Sequence, residues 1–171
     1  MAFARDPFAD LRVLIDGVYG YVAYRIGSGP DADDVTSATF ERAFRYRQTY
    51  DAHKGEPLGW LIGIARRCIS DHVRTMAVDA EPADLTAPGD LEEDAVRRMT
   101  LRAAMNSLDD RDREIIALRY GADLTAAQIG RLMGMRAGAV RVALNRARAR
   151  LAVLLDEERH SGPAEGVSVG L

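Results

Sequence analysis

LTAAQIGRLMGMRAGAVRVALNRARARL, residues 124–151, is the stretch on which the fold turns. Thr125 followed three residues later by Gln128 is a capping box: the threonine hydroxyl accepts from the Gln128 amide, and the glutamine side chain reaches back to the backbone of Thr125. Leu124 and Ile129 stand at the two positions of a hydrophobic staple. A helix therefore starts here and runs to Met133, Gly134 supplies a sharp turn, and a longer helix begins around Ala137 and continues to about Glu158. Val140, Leu144, Ala147 and Leu151 make the apolar stripe of that helix, while Arg136, Arg141, Asn145, Arg146, Arg148 and Arg150 occupy other faces. No acidic residue falls between Gly134 and Leu155. A short capped helix, a glycine turn and a longer helix form the helix-turn-helix pattern, whose second helix lies in the major groove of DNA. Arginine and asparagine there can make bidentate contacts to guanine and adenine. An ordinary helical hairpin with a solvated basic face satisfies the same pattern.

Working outward, Asp109 resembles the N-cap of a helix that carries Ile115, Ile116 and Leu118 and ends near Gly121, and a further helix precedes it from about Glu93 to Ser107. Between Met76 and Asp94, Pro82, Pro88 and Gly89 break helix, and Asp79, Glu81, Asp84, Asp90, Glu92, Glu93 and Asp94 are all acidic. This reads as a flexible linker. On its other side, Leu11, Leu14, Ile15, Val18, Val22 and Ile26 recur at helical intervals, and Gly27 to Pro30 stop that helix. Asp31 reads as the N-cap of a second helix through Val35, Phe40 and Phe44. Thr49 to Pro57 is a loop, and a third helix from Leu58 buries Leu61, Ile64, Cys68, Ile69 and Val73. The expected architecture is all-α: a helical domain over residues 1–76, an acidic linker over 77–93, a helix-turn-helix domain over 94–160 and a frayed tail over 161–171.

Composition narrows the function. With 23 basic and 26 acidic residues the net charge is −3, unlike the basic balance of a protein that grips DNA unaided. Any DNA binding is therefore local or assisted. Lys54 is the one lysine among the basic residues, a bias that suits a GC-rich genome and also planar, bidentate contacts. Cys68 is the single cysteine, which excludes an intramolecular disulfide and a cysteine-based zinc cluster and fits a reducing cytoplasm. The first residues, MAFARDPFADLR, carry charges where a signal peptide needs an apolar run, and no segment approaches about 18 consecutive apolar residues, so the chain is expected to stay in the cytoplasm. His53, His72 and His160 are scattered over loop, helix and tail, with no HExxH, GxSxG or phosphate-loop spacing. Asp71 and Arg74 read as an ion pair on a helix face, and His72 as a surface residue. The expectation is a protein that is not an enzyme and uses neither metal nor cofactor.

Three segments then fall into a recognisable order. DADDVTSATFERAF (Asp31 to Phe44), WLIGIARRCISDHVR (Trp60 to Arg74) and LDDRDREIIALRYGADLTAAQIGRLMGMRAGAVRVALNRARARL (Leu108 to Leu151) resemble the polymerase-binding helix, promoter-melting helix and C-terminal helix-turn-helix domain of sigma factors of the extracytoplasmic-function class, in the sigma-70 family. The resemblance implies that the first helix docks on the clamp of core RNA polymerase through Asp31, Asp34, Val35, Phe40, Glu41 and Arg42. It implies that the Tyr50 to Glu56 loop, with Tyr50, Asp51, His53 and Lys54, captures a flipped base of the melted promoter element, while Trp60, Arg66, Arg67 and Arg74 lie along the separating strands. Arg136, Ala137, Gly138, Ala139, Arg141, Val142, Asn145 and Arg146 would read the distal upstream element. An anti-sigma factor is a further partner that the resemblance implies, and the acidic linker would thread the polymerase channel.

Several residues depart from the family pattern. Ser37 and Ala38 stand where glutamine and glutamate are common, Arg67 replaces a usual asparagine, and Thr75 follows Arg74 where a second arginine is frequent. Arg136, Ala139, Val142 and Ala143 replace the usual serine, threonine, serine and arginine of the recognition segment, which removes a natural N-cap worth about 1 kcal/mol. An atypical promoter sequence is expected. Two other readings stay open: a stand-alone helix-turn-helix regulator that binds an operator as a dimer, and a diverged member that has lost polymerase affinity and serves as an interaction module.

Overall fold

The protein was described with a computed structural model covering residues 8–78 and 92–161, and those residues form α-helices joined by short turns, with no strand among them. α1 (Leu11–Ile26), α2 (Pro30–Arg45) and α3 (Pro57–Val78) pack as a three-helix unit. α1 buries Leu14, Val18, Tyr21 and Val22, whereas Leu11 and Ile15 of the expected stripe are more than a third exposed. Tyr21 takes the place on that face that alternation of aliphatic residues alone did not assign. α2 starts one turn-residue earlier than its aspartates suggest: Gly29 is the N-cap and Pro30 the first helical residue, so Asp31 sits inside the first turn with Asp33. Proline suits that position because its fixed φ is helical and the missing N–H would have had no partner. Both aspartates then interact favourably with the positive end of the helix dipole.

α3 buries Leu61, Ile62, Ala65, Cys68 and Ile69. Ile64 is only half-buried, and Val73, expected in the core, is exposed because the last turns of α3 outrun the α1–α2 unit: residues 73–77 all face solvent. α3 reaches Val78 and α4 (Glu92–Ser107) opens at Glu92, so helix takes up both ends of the stretch read as linker; the rest of the expected linker, residues 79–91, and the expected tail beyond residue 161 lie outside the described residues.

The second unit is α4, α5 (Asp110–Ile116), α6 (Ala126–Met133) and α7 (Ala137–Ser161), with α4, α5 and α6 all laid against α7. Asp109 caps α5, its carboxylate accepting from the Asp112 amide at 2.8 Å. Asp112 is buried, and a buried carboxylate needs a partner; Arg150 of α7 supplies it at 2.5 Å and reaches Asp109 at 3.0 Å. The hydrogen bond from Arg150 to Asp112, with the charges of both aspartates, raises the guanidinium further above its usual value. α5 continues as a π turn over Ala117–Gly121, where the Ala122 amide donates to the Ala117 carbonyl at 3.0 Å.

The two units share one apolar core that runs from Leu14 to Ala147, because α1 lies directly on the π turn and on α4 and α5. The approach is closest at Gly20 and Gly121. A Cβ on Gly20 would overlap the Gly121 carbonyl oxygen, and one on Gly121 would meet the Gly20 carbonyl oxygen at 2.5 Å and the Tyr21 Cα at 2.8 Å. Only a residue without a side chain allows backbone to meet backbone in this way.

Candidate nucleic-acid interface

The helix-turn-helix is built as its capping residues require. Gln128 N donates to Thr125 Oγ1 at 3.3 Å, and Thr125 N donates to Gln128 Oε1 at 2.8 Å, so both halves of the box are present. Leu124 and Ile129 are both buried. Gly134 ends α6 in the left-handed region at φ 66°, a conformation that turns the chain sharply toward α7. Val140 and Ala147 of α7 are fully buried, and Leu144 and Leu151 pack partly buried beside them. This leaves Arg136, Gly138, Ala139, Arg141, Val142, Asn145 and Arg146 exposed, with Ala137 half-buried at the helix start and Ala143 half-buried beneath. Arg136, Arg141 and Arg146 make no ion pair among the described residues, unlike Arg150, which is committed to the α5 N-terminus. The face is basic, unobstructed and small enough in its side chains near Gly138 and Ala139 for close approach.

On the first unit, the loop before α3 is pinned by its own bonds. Asp51 Oδ1 accepts from the His53 amide at 3.0 Å, Lys54 N donates to the Asp51 carbonyl at 3.0 Å, and the Tyr50 hydroxyl donates to the Gly55 carbonyl at 3.1 Å. His53 and the Lys54 ammonium point to solvent, the latter 3.8 Å from Asp51. Trp60 is half-buried, its ring 5.5 Å from that of Tyr50 and 6.3 Å from Phe8, which itself stacks on Phe44 at 4.3 Å. Trp60, Arg67 and Arg74 are seven residues apart and so share one side of α3. Arg67 and Arg74 are exposed there, with Arg74 3.6 Å from Asp71 as expected of a helix-face pair.

Arg66 is not on that side. It stands one residue before Arg67, about 100° around the helix, and its guanidinium turns to the second unit, donating through Nε to Glu114 Oε1 at 2.8 Å and approaching the same oxygen through a terminal nitrogen at 2.6 Å. Burial lowers the affinity of Arg66 for its proton, but the Glu114 charge and hydrogen bond outweigh that and raise it above the ordinary arginine value. The same carboxylate accepts from the Tyr21 hydroxyl at 2.8 Å and from Arg25 at 2.5 Å. Burial, reinforced by the neighbouring Glu114 charge, pushes the Tyr21 hydroxyl far above the usual phenol range. A second bond crosses between the units where Gln128 Nε2 donates to Glu56 Oε2 at 2.6 Å. Around it, Leu124, Arg131 and Leu132 face Tyr50 and Trp60 across a cleft. Glu114, Tyr21, Arg25, Glu56 and the cross-unit role of Gln128 had no signal in the sequence beyond their helical placement.

α2 divides its candidate residues between two faces. Asp34, Ser37 and Glu41 are exposed on one side, whereas Val35 and Phe40 are buried and hold the helix in the core. Their side chains offer no docking surface in this arrangement, because helical spacing that marks a partner-facing stripe marks a core-facing one equally well. Asp31 is half-buried 3.8 Å from His72, which is itself half-buried and not the free surface residue expected. Arg42 meets Asp71 at 2.8 Å, a hydrogen bond that raises its proton affinity. Ala38 is half-buried against the core. No group of three or more potential metal-ligating side chains was found among the described residues. No helix among them is long and apolar enough to cross a membrane.

Comparison with known families and proteins bears on both units. The family model described as Sigma-70 region 2 matches residues 12–77, and that described as Sigma-70, region 4 matches residues 98–151. The ECF RNA polymerase sigma factor BldN of Streptomyces coelicolor is 32% identical over 154 residues, which are 84% of this chain and 58% of BldN. The ECF RNA polymerase sigma factor SigM of Bacillus subtilis is 30% identical over 151 residues, 84% of this chain and 91% of SigM. The chain thus spans a little under three fifths of BldN and nearly all of SigM. Among solved structures, the fold is similar to that of the sigma factor RpoE in complex with the anti-sigma factor NepR from Bartonella quintana, with a TM-score of 0.63 at 18% identity, covering 86% of this chain and 94% of that one. It is also similar to CnrH in complex with the cytosolic domain of CnrY, with a TM-score of 0.59 at 21% identity, covering 90% and 94%.

Proposed function

Since the chain belongs to the sigma-70 family, in its extracytoplasmic-function class, we propose that it is a promoter-specificity factor that binds core RNA polymerase, recognises two upstream promoter elements and helps to melt DNA. The observation that carries this reading is the face of α7, with Arg136 just before it and Arg141, Asn145 and Arg146 exposed on a helix that follows a complete capping box and a left-handed glycine. Bidentate contacts from such side chains discriminate bases by about 1–3 kcal/mol each. The side of α3 that carries Trp60, Arg67 and Arg74 supplies an aromatic platform and two cations along one line, the combination suited to an unpaired strand. The protein acts by binding and not by catalysis, in the cytoplasm where polymerase and promoter are found. The net charge of −3 favours this reading over a stand-alone regulator, since a factor presented to DNA by polymerase needs no strong affinity of its own. An anti-sigma factor is proposed as a further partner, on the strength of the solved complexes that share the fold.

The first test is co-elution of the purified chain with core RNA polymerase on a sizing column, which needs no knowledge of the promoter. Exposed Asp34 and Glu41 are the residues to change for this purpose, each to arginine, because Phe40 is in the core and its loss would report on folding. Stable co-elution lost in Asp34→Arg and Glu41→Arg is the expected result. Clean separation of the wild-type chain from polymerase would overturn the reading.

A further inference from the structure

The line of α7 that faces directly away from the core carries no charge. At about 100° per residue, Gly138, Val142, Asn145 and Ala149 fall within roughly 60° of one another around the helix, and all four are exposed. Val140 and Ala147, fully buried, point the opposite way. Arg141 and Arg148 flank the outer line on one side and Arg146 on the other, all of them exposed. A helix with its side chains is about 10–12 Å across, and the major groove is about 12 Å wide. A helix seated there by its outer line therefore sets that line against the base edges and its flanks against the two backbones. Gly138 brings no side chain to the bases, Ala149 a single methyl and Asn145 an amide. Val142 is the one large apolar side chain of the four, 52% exposed between the flanking cations. The apolar group that bases present in the major groove is the C5-methyl of thymine, whereas the edges of adenine, guanine and cytosine offer donors and acceptors.

We propose that Val142 is a specificity-determining residue that reads the C5-methyl group of one thymine in the distal promoter element. The inference deepens the reading of α7 as the helix that recognises this element, and rests on it. Two effects act in the same direction. Against thymine, the isopropyl group of Val142 and the base methyl leave water together. Against any other base, Val142 has neither donor nor acceptor to offer, so a polar edge pressed on it gives up its hydrogen bonds to water without replacement. Val142 thus selects a base by apolar contact in the middle of a face whose remaining signal is charge and hydrogen bonding.

The test uses the full chain assembled with core RNA polymerase and an unmodified library of random-sequence duplex DNA, from which bound molecules are recovered and sequenced. Wild type and Val142→Ala are compared. Alanine at this exposed helical position favours the helix, so the variant keeps its fold. The expected result is a distal element with a fixed thymine in the wild-type selection, and loss of that one preference with Val142→Ala while the other positions are kept. The thymine is then replaced by deoxyuridine, which pairs identically and lacks only the C5-methyl. The wild-type complex should bind the deoxyuridine duplex about fourfold more weakly, the worth of one buried methyl group, and the Val142→Ala complex should bind the two duplexes equally. Selections that agree at every position, equal binding of thymine and deoxyuridine duplexes by wild type, or the same loss on deoxyuridine in both proteins would each overturn the role of Val142. Failure of the sigma-factor reading has another signature and takes the inference down with it: the chain does not co-elute with core polymerase, and the library is recovered alike with and without the chain.

Discussion

Tyr21 packs its ring in the first unit and spends its hydroxyl on the second, and that division makes it a residue whose ionisation reports on the fold. Because burial and then the Glu114 charge raise its pKa above the ordinary value of 10.0, the folded chain keeps this proton where the unfolded chain has lost it. Stability from this group is therefore complete below about pH 10 and declines as pH rises beyond it. Urea midpoints taken from about pH 8 to 11 should fall more steeply for wild type than for Tyr21→Phe. Parallel curves would mean that the hydroxyl is not buried against a carboxylate. Gly121→Ala tests the neighbouring contact. The added methyl has only backbone to push against, so a loss of about 1–3 kcal/mol in urea unfolding is expected. A neutral replacement would show that the backbones do not touch there.

The elements differ in how openly the sequence announces them. The start of α6 is legible because both partners of its cap lie within four residues, and Thr125→Ala should cost about 1 kcal/mol. In a chain of this size that is a drop of about 2–4 °C in the thermal midpoint. The start of α2 is less legible: Asp31 has the better capping side chain, but Pro30 is preorganised for the first helical position and moves the boundary to Gly29. The stripe of α7 reads correctly from spacing because Val140 and Ala147 have a single unit to pack against. Leu11, Ile15 and Val73 mislead for the opposite reason, since helical periodicity is blind to where a neighbouring helix stops. Arg141→Ala, on the exposed face of α7, should reduce transcription from promoters carrying the distal element while co-elution with polymerase is unchanged. Equal transcription with and without that element would remove α7 from its proposed role.

At the scale of the whole molecule, the two helical units are legible from the breaks in pattern between them, and the seam is not. Its polar partners are separated by 48 to 93 residues along the chain, and each alone is an ordinary polar residue of a helix or loop. Local pattern tells which face of a helix is apolar, not which partner covers it, so one shared core was hidden behind two expected ones. The seam also has a built-in optical consequence. Trp60 is the chain's single tryptophan and it lines the cleft beneath Leu124 and Leu132, with Tyr50 5.5 Å from its ring. Tryptophan emission therefore comes from one indole at the junction of the units. Unfolding hydrates that ring and shifts its emission to longer wavelength, so loss of the seam can be followed in a stopped-flow fluorimeter on the unlabelled protein.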